Sequence, residues 1–246
     1  MLCASNGQCC GAQKRSAERF PDHGFSLRFA SGQSGLATPL HNSRAKMRHQ
    51  AAAVSGFSMT SSRILVVYAH PAPRRSRVNK PLARMLAGLP GVAMHDLYSH
   101  YPDFDIDVRT EQEALEAAEM LVLQFPVQWY ATPSLLKEWI DVVFEMGWAY
   151  GPGGTALRGK HMMVLASAGG RAHAYSQDGI HGHALDMFLL PLQQTAALCG
   201  MQWQPPHVLH DADDAPDEAI DAHIARVRAA LQPWLPEGHA AISVWA

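Results

Sequence analysis

Beyond residue 62 the chain alternates short, almost purely apolar runs with longer segments in which apolar residues recur every three or four positions. That alternation predicts buried parallel strands separated by amphipathic helices. The clearest instance is Met120 to Asp141. Met120, Leu121, Val122, Leu123 and Phe125 form a nearly continuous apolar run that Pro126 ends, as expected of a strand covered on both faces. Thr132 as a cap, Pro133 in the first turn, and Leu135, Leu136, Trp139, Ile140 and Val143 on one face predict a helix reaching toward Gly147. Between the two lies a loop with Gln128, Trp129 and Tyr130, which carries more aromatic surface than a connector needs. It either covers the sheet edge or faces a ligand.

The same reading extends along the chain. Arg63 to His70 predicts a central strand, and Val78, Leu82, Met85, Leu86 and Leu89 predict a helix over Arg77 to Leu89, with Pro81 tolerated in its first turns. Ser76 and Asn79 then stand at a helix amino end beside Arg74, Arg75 and Arg77, where free N–H groups and the helix dipole favour an anion such as phosphate. The competing reading is ordinary capping with solvated arginines. Neither GxGxxG nor GxxxxGK[ST] is present. Further strands are expected at Val92 to Tyr98, His161 to Ser167 and Met201 to Leu209. Helices are expected at Glu111 to Glu119, Ala184 to Leu198 with a bend near Pro191, and Pro216 to Trp234 with Ile220, Ile224, Val227 and Leu231 as the buried stripe.

Five strands alternating with helices imply an α/β fold, a doubly wound parallel sheet in the order 2-1-3-4-5 with helices on both faces. That order places the carboxyl ends of strands 1, 3 and 4 together at and beyond the switch point, where such sheets bind ligands. Those ends carry the three unusual loops, at 70–79, 126–130 and 167–183. An anion at the first and a flat aromatic body against the others would suit them. Gly169 and Gly170 permit close backbone approach and Ser167 offers a hydroxyl. Flavin mononucleotide is such a ligand.

Composition narrows the class. The chain has 246 residues, 48% of them hydrophobic, and a net charge of −2, which provides a substantial core and argues against nucleic-acid binding. Residues 1–62 hold seven Lys or Arg against two acids and three of the four cysteines, Cys3, Cys9 and Cys10. The remainder, 63–246, is acidic and has only Cys199, so a disulfide framework is excluded there and a reducing, cytoplasmic setting fits. No apolar run is long enough to span a bilayer, and a soluble protein is expected. The first 58 residues show little periodicity and weakly resemble a transit peptide. They read as an overlong start, with Met59 or Met47 the natural initiator, or as a disordered extension. Removing them is expected to leave cofactor content and melting temperature unchanged. Fourteen histidines include His181 with His183 and His207 with His210, but no carboxylate or cysteine completes either pair at ligand spacing, so no metal site is expected.

Specific motifs add to this. YAHP at 68–71, SRVN at 76–79, LYSHYPDFDID at 97–107, PVQWY at 126–130, LLKEWID at 135–141, GWAYGPGGTALRGK at 147–160 and SAGG at 167–170 occur in order. Together they resemble the flavodoxin-like NAD(P)H:quinone oxidoreductases, particularly the ancillary protein of the glutathione-regulated potassium-efflux system. The resemblance implies that His70, Ser76, Arg77, Val78 and Asn79 surround the phosphate and ribityl chain of FMN. It implies that Val127, Gln128, Trp129 and Tyr130, with Ser167, Ala168, Gly169 and Gly170, hold the isoalloxazine. Val127 and the Ser167-Ala168 pair stand where relatives often have Met or Leu and two Thr residues, at contacts made largely by backbone.

AYSQDGIHG at 174–182 resembles the catalytic loop of the animal-type quinone reductases. Carried over, Tyr175 and His181 would face the flavin and offset charge that develops as hydride arrives, roles open to a phenol and a near-neutral imidazole. The alternative is a satisfied loop histidine. The resemblance further implies ping-pong reduction of a quinone by NAD(P)H through FMN, with FAD as the alternative cofactor. It also implies a homodimer, with which exposed Trp148, Tyr150 and Phe188 would be compatible, and a potassium-efflux transporter as a partner, met at the inner face of the cell membrane. A regulator without oxidoreductase activity and a one-electron carrier are the rival readings.

Overall fold

The computed structural model describes residues 63–236; the readings that fall on residues 1–62 lie outside them. The elements in chain order are β1 (Ile64–Tyr68), α1 (Asn79–Ala87), β2 (Val92–Asp96), α2 (Leu97–His100), α3 (Val108–Ala117), β3 (Met120–Pro126), α4 (Ser134–Val143), β4 (His161–Ser167), α5 (Leu185–Leu198), β5 (Gln202–Trp203), β6 (His207–Leu209) and α6 (Asp217–Leu231).

All strand pairs are parallel, in the expected order β2-β1-β3-β4-β5. The single last strand expected from Met201 to Leu209 is instead two. β5 pairs with His161 and Met162, and β6 pairs with Leu165 to Ser167 farther along β4. Pro205 and Pro206 lie between them, and a proline has no N–H to give a ladder.

Side chains alternate across the sheet. Leu65, Val67, Leu121, Leu123 and Phe125 face Leu135, Trp139 and Val143 of α4, while Ile64, Val66, Met120 and Val122 face Leu82 and Leu86 of α1 and Val227 and Leu231 of α6. Each such fully buried aliphatic side chain contributes about 1.5–3 kcal/mol relative to exposure. The in-register pairing brings Tyr68 level with Gln124, and Pro126 level with Ser167, so the ends of β1, β3 and β4 form one rim.

Several boundaries differ from the periodicity, each for a local reason. β2 stops at Asp96 because that carboxylate caps the short α2, accepting Ser99 N–H at 3.4 Å and the Ser99 hydroxyl at 2.8 Å. α3 begins at Val108, earlier than Glu111, because Asp107 accepts Thr110 N–H at 3.1 Å and its hydroxyl at 2.8 Å. α1 starts at Asn79, two residues after Arg77. Thr132 does not cap α4: Pro133 occupies the cap with no side-chain bond, and the helix ends at Val143, short of Gly147. The last helix stops at Leu231, and Gln232–Trp234 continues as a tighter turn around Pro233. α5 runs through Pro191.

The residues expected to be exposed also differ. Trp148, Tyr150 and Phe188 are half-buried. Among the described residues the large apolar side chains that face solvent are Trp129, Ile180, Met146, Leu198 and Met187, with Leu190, Phe104 and Tyr130 less so. Among the described residues no helix is long and apolar enough to cross a membrane, and no group of three or more His, Cys, Asp or Glu is placed to hold a metal ion.

Candidate functional site

The first loop leaves β1 at His70, whose Nδ1 accepts the Ala72 N–H at 3.1 Å. Burial pushes the His70 pKa below its ordinary value, against the nearby Asp96, so the ring is neutral with its proton on Nε2. Ser76 Oγ accepts the Lys80 N–H at 3.1 Å, leaving its hydroxyl proton to donate elsewhere. The Arg77 guanidinium, expected near a phosphate, turns to the Asp213 carbonyl at 2.9 Å and Asp217 Oδ1 at 3.1 Å. It staples the loop to the start of α6. The backbone N–H groups of Arg77 and Val78 have no acceptor among the described residues, and no acidic side chain sits in the first turn of α1. An anion is favoured there.

The second loop is a tight turn. Gln128 and Ala131 exchange backbone hydrogen bonds at 3.0 Å, and both central residues, Trp129 and Tyr130, have positive φ, 46° and 64°. Non-glycine residues take that conformation at a cost, which recurs at functional sites. Val127 N–H donates to Ser167 O at 2.8 Å, tying this loop to the third. Trp129 is 93% exposed and its side chain lies outside the aromatic cluster, whereas Tyr130 joins it.

The third loop folds back on itself. Ala168 N–H donates to Leu209 O at 2.9 Å, so this amide is used internally, while Gly169 and Gly170 N–H have no acceptor among the described residues. Gly170 brings the backbone close under the two rings: a Cβ there would lie 3.0 Å from Tyr175 and 3.1 Å from His181 Nε2, so a side chain would push both rings by a few tenths of an ångström. Tyr175 and His181 lie against Gly170 and each other, centroids 4.3 Å apart and planes tilted by 33°. Tyr130 meets His181 edge-on at 5.5 Å, with its hydroxyl 3.3 Å from His181 Nδ1. Burial, then the neighbouring Tyr130, raises the Tyr175 pKa, so its phenol keeps its proton.

The structure therefore brings together Tyr130, Tyr175, His181 and Gly170 from two loops, and separately joins Asn79 to Ser167 at the end of β4. Asn79 Nδ2 donates to Ser167 Oγ at 2.6 Å, and Gln124 Nε2 donates to the Asn79 carbonyl at 2.7 Å. Both amide oxygens, Asn79 Oδ1 and Gln124 Oε1, are buried without a partner among the described residues. Sequence reasoning passed over Gln124, although a lone amide inside an apolar strand is a readable signal. It took Phe188 for an exposed dimer residue and weighed His210 only as part of a histidine pair, whereas they lie 4.9 Å from Tyr130 and 5.3 Å from Tyr175, arriving from α5 and the end of β6. An apolar cavity of about 340 Å³ opens between α4 and α5 beside Tyr130, Val127, Phe188 and Leu192.

These features fit a flavin. Free N–H groups and the Ser76 hydroxyl at the first loop, side-chain-free backbone at Gly169 and Gly170, and the unpartnered oxygens of Asn79 and Gln124 are the groups such a ligand would use.

Comparison with known proteins agrees with the architecture. Residues 62–231 match the family described as flavodoxin-like fold. A structure described as a thermophilic tryptophan halogenase from Streptomycin violaceusniger is 41% identical, covering 67% of this chain and 95% of its own, with a TM-score of 0.65. General stress protein 14 from Treponema denticola, in complex with FMN, is 34% identical over 70% of this chain and 99% of its own, with a TM-score of 0.67. An NADPH-quinone reductase from P. pentosaceus is 25% identical over 72% and 99%, with a TM-score of 0.62.

Proposed function

We propose, from the premise that this chain belongs to the flavodoxin-like family, that it binds FMN across the ends of β1, β3 and β4 and reduces quinones by two electrons at the expense of NAD(P)H. The observation that carries the reading is the placement of Tyr175 and His181 against Gly170, whose own N–H and that of Gly169 are free among the described residues. The FMN in the stress protein and the name of the NADPH-quinone reductase support it.

In this reading the Ser76 hydroxyl and the N–H groups of Arg77 and Val78 hold the phosphate, and Asn79 Oδ1 accepts from the ribityl hydroxyls. The backbone at Val127 to Tyr130 and at Ser167 to Gly170 grips the ring. Bound FMN supplies the two-electron relay between NAD(P)H and quinone. Tyr175 and His181 offer donors at the ring edge, where they offset negative charge. Tyr130 orients His181. One pocket serves both substrates in turn, which makes the kinetics ping-pong. A second copy of the chain covers the apolar face at Met187, Leu190 and Leu198.

The test is an absorbance spectrum of the purified protein followed by NADH titration and turnover with a benzoquinone. A yellow protein bleached by NADH, with parallel lines in the double-reciprocal plots, is expected. A protein that neither carries nor takes up flavin overturns the reading. Supplying tryptophan, chloride and oxygen tests the chemistry in the halogenase's name, and no chlorinated product is expected. Light scattering should return twice the chain mass.

A further inference from the structure

A second cavity, about 690 Å³, lies away from the aromatic cluster, between the outer face of α1 and the edge strand β2. Its size is that of a site for a small organic molecule. One wall is a helix face at the spacing i, i+3, i+4, i+7: Lys80, Ala83, Arg84 and Ala87. The two small side chains let a flat body lie against the helix, and Met94 forms the apolar wall opposite. Lys80 and Arg84 are exposed and one turn apart, and among the described residues neither is ion-paired.

The polar end is equally specific. Tyr68 is only 5% exposed, yet its hydroxyl has no hydrogen-bond partner among the described residues. Asp96 lines the same end, its carboxylate shared with the cap of α2. A buried phenol without a partner is costly unless something meets it.

We propose that this cleft binds a purine nucleotide. The ring lies between Ala83, Ala87 and Met94, its amino group donates to Asp96, a ring nitrogen accepts from the Tyr68 hydroxyl, and the phosphate is held by Lys80 and Arg84. The cleft is separate from the Tyr175–His181 cluster and does not depend on the flavin reading.

The probe is AMP, titrated calorimetrically into the full-length protein. One saturable site with Kd below about 1 mM is expected. Arg84→Glu and, independently, Ala87→Trp at an exposed helix position should each weaken it at least about tenfold, with flavin content unchanged. Competition of NADH with AMP identifies the adenylate half of a dinucleotide as the source; its absence identifies a free mononucleotide. No saturable binding, binding indifferent to both variants, or mutual displacement of AMP and FMN overturns the proposal.

Discussion

Glu111 and His181 are both ionisable groups held among aromatic side chains, and their surroundings are opposites. Glu111, on α3, is 1% exposed and accepts from His95 Nδ1 at 3.0 Å, the Tyr101 hydroxyl at 2.7 Å and Trp139 Nε1 at 3.0 Å. Burial opposes its ionisation, but the bonds from His95, Tyr101 and Trp139 outweigh it and hold the carboxyl below the usual range. Every acceptor position of note is used. His181 sits half-buried with one long contact to Tyr130, stacked on Tyr175. At the ends of β3 and β4, Asn79 Oδ1 and Gln124 Oε1 are buried with no partner among the described residues. A saturated polar network ties β2, α2, α3 and α4 into one unit, whereas spare hydrogen-bonding capacity at a rim of loops is what a ligand can use.

The largest effect should come from breaking the saturated side. Glu111→Ala strands Trp139 Nε1 and the Tyr101 hydroxyl in the core, and urea denaturation should show a loss of about 3–5 kcal/mol. A loss below about 1 kcal/mol would mean that water replaces the carboxylate. Because the Glu111 pKa is depressed on folding, its contribution is present above the unfolded value of about 4.3 and lost as pH falls through the lower folded value.

His223 on α6 sharpens the contrast, being buried with Nε2 unpartnered but far in sequence from any of the three loops. Burial first, then Arg226 and His207, lower its pKa to about 4. Between roughly pH 6.5 and 4 the unfolded chain binds the extra proton, so stability should fall with acidification by about 3 kcal/mol, and His223→Leu should flatten that slope. Flavin content in that variant is expected to match the parent.

Changes on the open side should leave stability alone. His181→Gln is expected to slow single-turnover flavin reduction by NADH about 10- to 100-fold while FMN stays bound and the unfolding midpoint stays put. An unchanged rate would remove His181 from the chemistry. Smallest of all, Tyr130→Phe removes one long hydrogen bond and should slow the same step only about threefold.

Much of the fold was legible because parallel strands buried on both faces read as apolar runs, and MLVLQF, RILVVY and HMMVLAS declare themselves without reference to anything distant. The sheet order was expected as one of the common orders of five-stranded doubly wound sheets, and the structure has it. The crevice was legible as a consequence, since the order alone brings the loops at 70–79, 126–130 and 167–183 to one rim. Boundaries failed where a side chain competed with periodicity, as Asp96 and Asp107 do by capping helices that the apolar pattern had not begun.

What the chain could not disclose locally depends on contacts between residues remote in sequence. VRTEQEALEA looks like a solvated acidic helix, and only the approach of Trp139 and Tyr101 makes Glu111 a buried hub. The Arg77 guanidinium reads as a phosphate ligand from the sequence, but Asp213 and Asp217, at the start of the last helix, engage it and leave only the backbone N–H. Trp129 and Tyr130 are neighbours with the same promise, yet a turn with two positive φ angles sends one into solvent and the other onto His181. Hydrophobic periodicity is a property of neighbours along the chain, so it determined most of the strands and helices and their succession. Whether a polar side chain is satisfied is a property of neighbours in space, and only the tertiary structure decided it.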